Sequence, residues 1–558
     1  MPTSKPFMRP WQESGAAHHR LSAAAERRPQ QWWESVVWVS AGIRFVLPSL
    51  LLCLFAWLSA SPIEAREPGL APVWWRILLV VALFNAWHAY RPLLIFLRAL
   101  KERLYRRAGR IAADLGMAFA WTILAGLAWT LLDMDCGSLH PPAACVALWA
   151  GALGLAFWVH ALVGLVRGGR ALRLVELSPD QKGEFVRPAG FRGSLRVAHL
   201  SDLHLTEHGG VLAVSGGLGG NAQFKALLDA HASVLKRQDA VILTGDVTDA
   251  GRATEWKAFF AAWERLGLAG RGILVPGNHE VNIIDPADRV AVDPAHVLRA
   301  KRLVRTLAAL DRMQGDRAWV WGAQGPELLR DHLARHAYAL ETFVRDPSLG
   351  TLALPWMRLA GTLLLGSWKP ASRSALRRLD ALNRLWQGCF PMLVSIPKSR
   401  ALALVLDSNV AATGIWDNAL GELKPAQLRR LKLLLSHPRF AGSPKPALLH
   451  HHVALPPLNL SVTYDFKSDL MSLLNARDLV DALPPGRQLI LHGHKHLSYF
   501  GHVARRIQVV SAPSSTLPDE RHPSKSLGFY TLSLALGADQ VALAGAPRFH
   551  PYTVWPVK

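Results

Sequence analysis

An α/β fold behind a helical membrane domain is what this 558-residue sequence predicts, and three observations predict it. From residue 195 onward, short apolar, β-prone runs alternate with segments of helical spacing. Five of those runs end in a cluster of carboxylate, amide or imidazole side chains. Before residue 175 lie four apolar stretches that are almost free of charge and are separated by short charged loops.

The first 34 residues are polar, carry Pro and Arg, and read as disordered. A membrane domain is expected over 35–170, with spans at Phe45 to Ile63, Ile77 to Tyr90, Leu115 to Leu132 and Pro141 to Val166. The second span crosses only if Trp74-Trp75-Arg76 and the Arg91 side sit at the interfaces; the last two are long enough for a ~30 Å hydrocarbon layer at ~1.5 Å per residue. Trp57, Trp74, Trp75, Trp121 and Trp129 fit an aromatic belt. The first apolar run begins too late for a cleaved leader and is followed by further spans.

Basic residues set the orientation. Lys5, Arg9, Arg20, Arg27 and Arg28 precede the first span, and Arg91, Arg98, Lys101, Arg103, Arg106, Arg107 and Arg110 follow the second. Arg167, Arg170 and Arg173 follow the fourth, whereas the other loops hold Glu64, Arg66, Glu67, Asp133 and Asp135. The positive-inside rule then puts both termini and the C-terminal domain on the cytoplasmic face of a bacterial-type inner membrane. A formal net charge of +22 follows largely from these segments and from solvated helix faces such as Leu428-Arg429-Arg430-Leu431-Lys432. Attraction to anionic lipid accounts for it, and no nucleic-acid partner is expected. The sequence leaves the oligomeric state open. Of its 4 cysteines, Cys136 and Cys145 flank the second outer loop and are spaced to pair there.

A linker is expected over 171–193 and a catalytic domain over 194–558, with an insert at about 281–400. Strand-like runs fall at 195–200, 240–244, 272–276, 402–407, 447–450, 488–491, 507–511 and 529–534. The clusters that follow them are Asp202-Leu203-His204, Gly245-Asp246-Val247-Thr248-Asp249, Gly277-Asn278-His279-Glu280, His450-His451-His452 and Gly493-His494-Lys495-His496. Such donors at the ends of successive buried strands suit a pair of divalent cations. The insert reads as a polar loop from Val281 to Asp293, helices over Arg299 to Met313 and Pro326 to Val344, and a Leu/Trp/Gly-rich stretch from Leu352 to Trp368. It either enlarges the core or covers the substrate pocket.

The ordered set D-x-H, G-D-x-x-D, G-N-H-E, H, G-H-x-H resembles the calcineurin-like metallophosphoesterase superfamily, over roughly Arg196 to Ser515. Ala403 to Asn409 and Gly421 to Leu428 look like the corresponding stretch of its cyclic-nucleotide-phosphodiesterase-like branch. The resemblance implies an αββα sandwich with the metals at strand C-termini. It implies that Asp202, His204 and His496 hold one ion, that Asp246 bridges, and that Asn278, one histidine of the triplet and His494 hold the second. It favours His451 over His450 for that histidine, and leaves Mn, Fe or Zn open. His279 is implied beside the phosphoryl group, oriented by Asp249, with a metal-bridging hydroxide as nucleophile.

The expected function is hydrolysis of a phosphodiester or pyrophosphate by a membrane-anchored enzyme, on a lipid-linked substrate. The resemblance supplies a precedent, since some calcineurin-like enzymes hydrolyse UDP-2,3-diacylglucosamine. The competing expectations are a soluble cyclic nucleotide or glycerophosphodiester substrate with the membrane part as anchor only, and, third, a membrane sensing or partner-binding module.

Overall fold

A computed structural model describes residues 172, 174–177, 185, 190–207, 212, 219–282, 297–337, 340, 373–410, 419–454, 473–504, 506–517 and 527–552. The chain divides into two units, and every described residue lies in the one that holds Ala171–Lys558. Among the described residues no helix is long and apolar enough to cross a membrane. The four expected spans, the N-terminal 34 residues, the Cys136–Cys145 pairing and Leu352 to Trp368 lie outside the described residues.

The domain is built on two sheets. Strands β2 (Gly193–Leu200), β3 (Ala240–Leu243) and β4 (Gly272–Leu274) run parallel, with α1 (Asn221–Lys236) and α2 (Ala253–Arg265) as the crossovers that parallel strands require. Their continuous apolar runs follow from burial on both faces, and Val197, Val241, Ile242 and Ile273 are fully buried. Strand β13 (Gly528–Leu536) lies antiparallel to β2 and carries β14 (Val541–Leu543) and β15 (Arg548–Pro551).

The second sheet has the order β1-β11-β12-β10-β9-β8-β7-β5-β6. Its strands are β1 (Val175–Glu176), β5 (Ala318–Gly322), β6 (Gly325–Leu328), β7 (Met392–Ser395), β8 (Leu402–Val405), β9 (Ala447–Leu448), β10 (Gln488–His492), β11 (Tyr499–Val503) and β12 (Ile507–Ser511). Strict period-two alternation divides its side chains between two cores. Met392, Val394, Ala403, Val405, Leu448, Leu489 and Leu491 join the first sheet's residues in one core. Leu393, Leu404, Leu406, Ala447, Leu449 and Ile490 join Leu431, Leu434 and Leu479 of the covering helices α7 (Pro425–Ser436) and α8 (Ala476–Ala482) in the other. This is the layered α/β sandwich that the resemblance implies.

Three expectations need correction. The 281–400 stretch is no simple insert, because it contributes β5, β6 and β7 to the second sheet. Helix α4 (Val297–Gln314) buries Leu303, Leu307 and Leu310 in the core between the sheets, so this part enlarges the core. The helix expected from Pro326 begins only at Leu329, since Gly325–Leu328 pairs with β5 as an edge strand, where proline is tolerated. Finally, Val175–Glu176, inside the expected linker, is already paired with β11.

Candidate metal centre

Each polar cluster follows the C-terminal end of a strand: β2, β3 and β4 in the first sheet, β9 and β10 in the second. The chain must turn sharply there, and the turns are left-handed. Asp202, His204, Asp246, His494 and His496 have φ of 54°, 44°, 51°, 76° and 55°. L-residues pay roughly 1–2 kcal/mol for that conformation, a cost typical of residues held for function. Gly245, at φ 100°, has a further constraint, because a Cβ there would stand 2.5 Å from His450 Nδ1.

These turns bring the predicted donors together. His204 Nε2 lies 3.2 Å from His496 Nε2, and His496 Nε2 lies 3.6 Å from Asp202 Oδ1. On the other side, His450 Nε2 lies 2.9 Å from His494 Nδ1, 3.0 Å from Asn278 Oδ1 and 3.2 Å from Asp246 Oδ2. Asp246 Oδ2 is also 4.0 Å from His204 Nε2, so this carboxylate stands between the two groups. Asp202, His204 and His496 form one cluster with metal-ligand spacing and Asp246, His450 and His494 another, while His204, Asp246 and His279 form a third that shares a donor with each. The donor set fits two cations. Ring nitrogens and carboxylate oxygens that converge this closely in a buried site need positive charge between them.

The triplet is resolved differently from the sequence reading. His450, not His451, occupies the cluster. His451 is buried with Nδ1 on the Ser408 hydroxyl at 2.8 Å, and its Nε2, like both ring nitrogens of His452, is buried with no hydrogen-bond partner among the described residues. Strand register explains it: His450 shares the parity of Leu448, which faces the core between the sheets, and His451 that of Leu449, which faces the outer core. A Thr244 carbonyl 2.7 Å from His450 Nδ1 fixes that ring.

His279 stands at the edge of the cluster. Its Nδ1 faces the Asp249 carbonyl at 2.6 Å and the Asp249 carboxylate at 3.4 Å, and its Nε2 lies 4.0 Å from Asp246 Oδ2. Burial alone would lower its pKa, but the Asp246 and Asp249 carboxylates outweigh it and raise it to about 10. His450 is carried to about 9 against burial by Asp246 and then Asp202. Asp246 is held well below the usual carboxylate range by His450 and His279, which overcome its burial. Burial lifts Asp202 instead. Cations in the site would take over much of this compensation.

Several supporting residues carry no role in the motif reading. Glu280 accepts backbone N–H bonds from Asp246 (2.9 Å), Thr248 (2.7 Å) and Gly277 (2.9 Å), plus the Thr248 hydroxyl at 2.9 Å. Its place three residues after Gly277, at the start of the short helix α3 (Asn278–Val281), is the one sequence signal for that role. Asn409 donates to the Pro276 carbonyl at 3.1 Å, beside the Asn278 turn, and is itself held by Asp407.

Residues 195–339 match the family model described as calcineurin-like phosphoesterase, a span that includes the first three clusters but neither the histidine triplet nor His494 and His496. No curated protein matches this chain. Similar solved structures include a dimetal phosphatase from Danio rerio, at 12% identity over 64% of this chain and 99% of that one, with a TM-score of 0.30. A 5'-nucleotidase from Candida albicans gives 9% identity over 66% and 49%, with a TM-score of 0.26. A purple acid phosphatase from yellow lupin (Lupinus luteus) seeds gives 12% over 65% and 53%, with 0.29. The chain thus spans about half the length of the latter two.

Proposed function

We infer that the calcineurin-like phosphoesterase domain of this chain is a dinuclear-metal hydrolase that cleaves a phosphodiester or pyrophosphate bond. The observation that carries the reading is Asp246 Oδ2, set between His450 Nε2 at 3.2 Å and His204 Nε2 at 4.0 Å. Asp202, His204 and His496 would hold one ion, Asn278, His450 and His494 the other, and Asp246 both. Two such ions neutralise phosphate charge and lower the pKa of water enough for attack at neutral pH. The chain's own contribution is orientation and proton handling. His279 Nδ1 donates to the Asp249 carbonyl at 2.6 Å, so the imidazolium's second proton is on Nε2, where it can pass to the leaving oxygen.

The substrate reading rests on the sequence ahead of the domain. Four apolar stretches with basic loops on one side support an enzyme anchored in the inner membrane, its catalytic domain on the cytoplasmic face. A domain held there meets lipid-linked phosphodiesters and pyrophosphates at high effective concentration. Soluble cyclic nucleotides or glycerophosphodiesters are the competing substrates.

The test uses full-length protein in detergent micelles, loaded with Mn²⁺, with Asp246→Asn as the blank. Turnover of UDP-2,3-diacylglucosamine is compared with that of cyclic AMP. Preference for the lipid supports the anchored reading, and preference for the nucleotide reduces the N-terminal part to a tether. Equal, background-level rates in wild type and Asp246→Asn on both, and on a generic aryl phosphodiester, would sink the hydrolase reading itself.

A further inference from the structure

The left-handed turn that carries Asp202 and His204 leaves three successive carbonyls, those of Ser201, Asp202 and Leu203, out of the sheet's hydrogen-bonding ladder. Its N–H groups are taken by the neighbouring strand end: Asp202 N donates to Gly245 O at 3.0 Å and His204 N to Asp246 O at 2.9 Å. The carbonyls are taken by one short segment after β12. Ser515 N donates to Ser201 O at 2.9 Å, the Ser514 hydroxyl to Asp202 O at 2.7 Å, and the Thr516 hydroxyl to Leu203 O at 2.6 Å and Asp202 O at 3.3 Å. Ser514, Ser515 and Thr516 are essentially fully buried. The segment is pinned in turn, since the Tyr552 hydroxyl donates to the Ser515 carbonyl and the Ser515 hydroxyl accepts from Ser201 N at 3.2 Å.

We propose that the Ser514 and Thr516 hydroxyls are positioning residues of the metal centre, holding Asp202 and His204 in the backbone conformation that aims them at the first ion. Thr516 carries more of this than Ser514, because it spans two adjacent carbonyls. A buried carbonyl that loses its donor favours a turn that re-pairs it, and the φ of 54° at Asp202 and 44° at His204 relaxes toward the ordinary negative range. That rotates the Asp202 carboxylate and the His204 ring away from His496. His494 N loses its bond to the Asp202 carboxylate at 3.0 Å, but its ring stays in place between His450 Nε2 at 2.9 Å and the Ala419 carbonyl at 3.0 Å, as do Asp246, Asn278 and His450. The effect therefore falls on one ion of the two.

The proposal rests on the dinuclear reading, and the experiment separates the two. Metal-free full-length protein is titrated with Mn²⁺ by calorimetry in wild type, Thr516→Val, Ser514→Ala and Thr516→Ser. Wild type is expected to bind two ions. Thr516→Val should keep one ion at wild-type affinity and weaken the other by about 10–100-fold, the usual cost of removing an outer partner of a metal ligand. Ser514→Ala should do the same to a smaller degree, and Thr516→Ser, which keeps the hydroxyl, should restore it. If wild type binds two ions and Thr516→Val binds both with unchanged affinity while losing only thermal stability, the hydroxyls are structural and the proposal fails. If both affinities fall together, the effect is not confined to the Asp202 turn and the proposal again fails. Wild type that binds no pair of ions would instead overturn the dinuclear reading.

Discussion

Replacing Glu280 by glutamine tests how the centre is held. The carboxylate is fully buried and faces four donors: Asp246 N and Gly277 N on one oxygen, Thr248 N and the Thr248 hydroxyl on the other. Burial and then the nearby Asp246 push its pKa up, yet three of its four neighbours are backbone N–H groups that only an ionised oxygen pair can serve. Glutamine keeps the shape but has one acceptor oxygen. Its amide nitrogen settles toward Thr248, whose hydroxyl can turn to accept, and Thr248 N–H is left buried and unpaired. A lost bond to a charged group costs ~1.5–3 kcal/mol, and the two remaining bonds weaken from charged to neutral. Relief from burying a charge offsets part of this, so the net loss is about 2–3 kcal/mol. Urea unfolding of metal-free full-length protein, followed by intrinsic fluorescence, measures it. Because Asp246 N and Gly277 N lie beside Asp246 and Asn278, which are proposed to hold the ions, metal affinity should fall as well. A variant within ~0.5 kcal/mol of wild type, with unchanged Mn²⁺ affinity, would refute the reasoning.

Other expectations are as direct. His450→Ala should cost one of two bound ions, whereas His451→Ala should keep both and lose stability, since its Nδ1 is on the Ser408 hydroxyl and its ring packs beside that of His494 without joining the clustered donors; metal analysis after gel filtration decides between them. His279→Ala should retain both ions while kcat drops by ~10²–10⁴, and loss of metal would show its role misassigned. Glu255, buried beside the site, has its pKa raised to about 7, first by burial and then by Asp249, against the pull of Arg252. A folded-state pKa above the unfolded value means a stabilising contribution present below about pH 4.5 and lost as pH rises through about 7, of about 3 kcal/mol at most. Glu255→Gln should flatten that part of the stability profile between pH 5 and 8, and an unchanged slope would remove Glu255 as its source. Leu307→Ala, in the middle of α4, should destabilise by ~2–5 kcal/mol without changing metal stoichiometry, as a core residue does.

The middle of the domain illustrates why a motif reading misjudges size. Between Glu280 and Ala401 the sequence offers no metal-type cluster, so the stretch reads as added material. Its strands β5 and β7 are nonetheless paired with each other and, through β7, with β8, and α4 ties back to the site by the Arg302 side chain on Ala250 O at 2.8 Å. Gln314 does the same at the far end of α4, its side chain bonded to both Leu274 N and Leu274 O. These links are polar contacts between distant segments, and nothing local announces them.

What the sequence determined by itself was the alternation of buried strands with helices and the polar clusters that follow five of those strands. Both are local: parallel strands buried on two faces must be continuously apolar, and donors must sit where such a strand ends. Eight apolar runs from 195–200 to 529–534 accordingly became strands, and Asp202, His204, Asp246, Asn278, His494 and His496 converge. Tertiary structure decided the rest. The choice of His450 over His451 turns on which face of β9 meets the inner core, and one residue of register reverses it. The positive φ values at five site residues are set by closure of the turns, in a conformation that Asp and His tolerate better than most L-residues but do not by themselves dictate. Ser514, whose hydroxyl meets Asp202 O from 312 residues away in the chain, was invisible because such a contact exists only once the two sheets have packed.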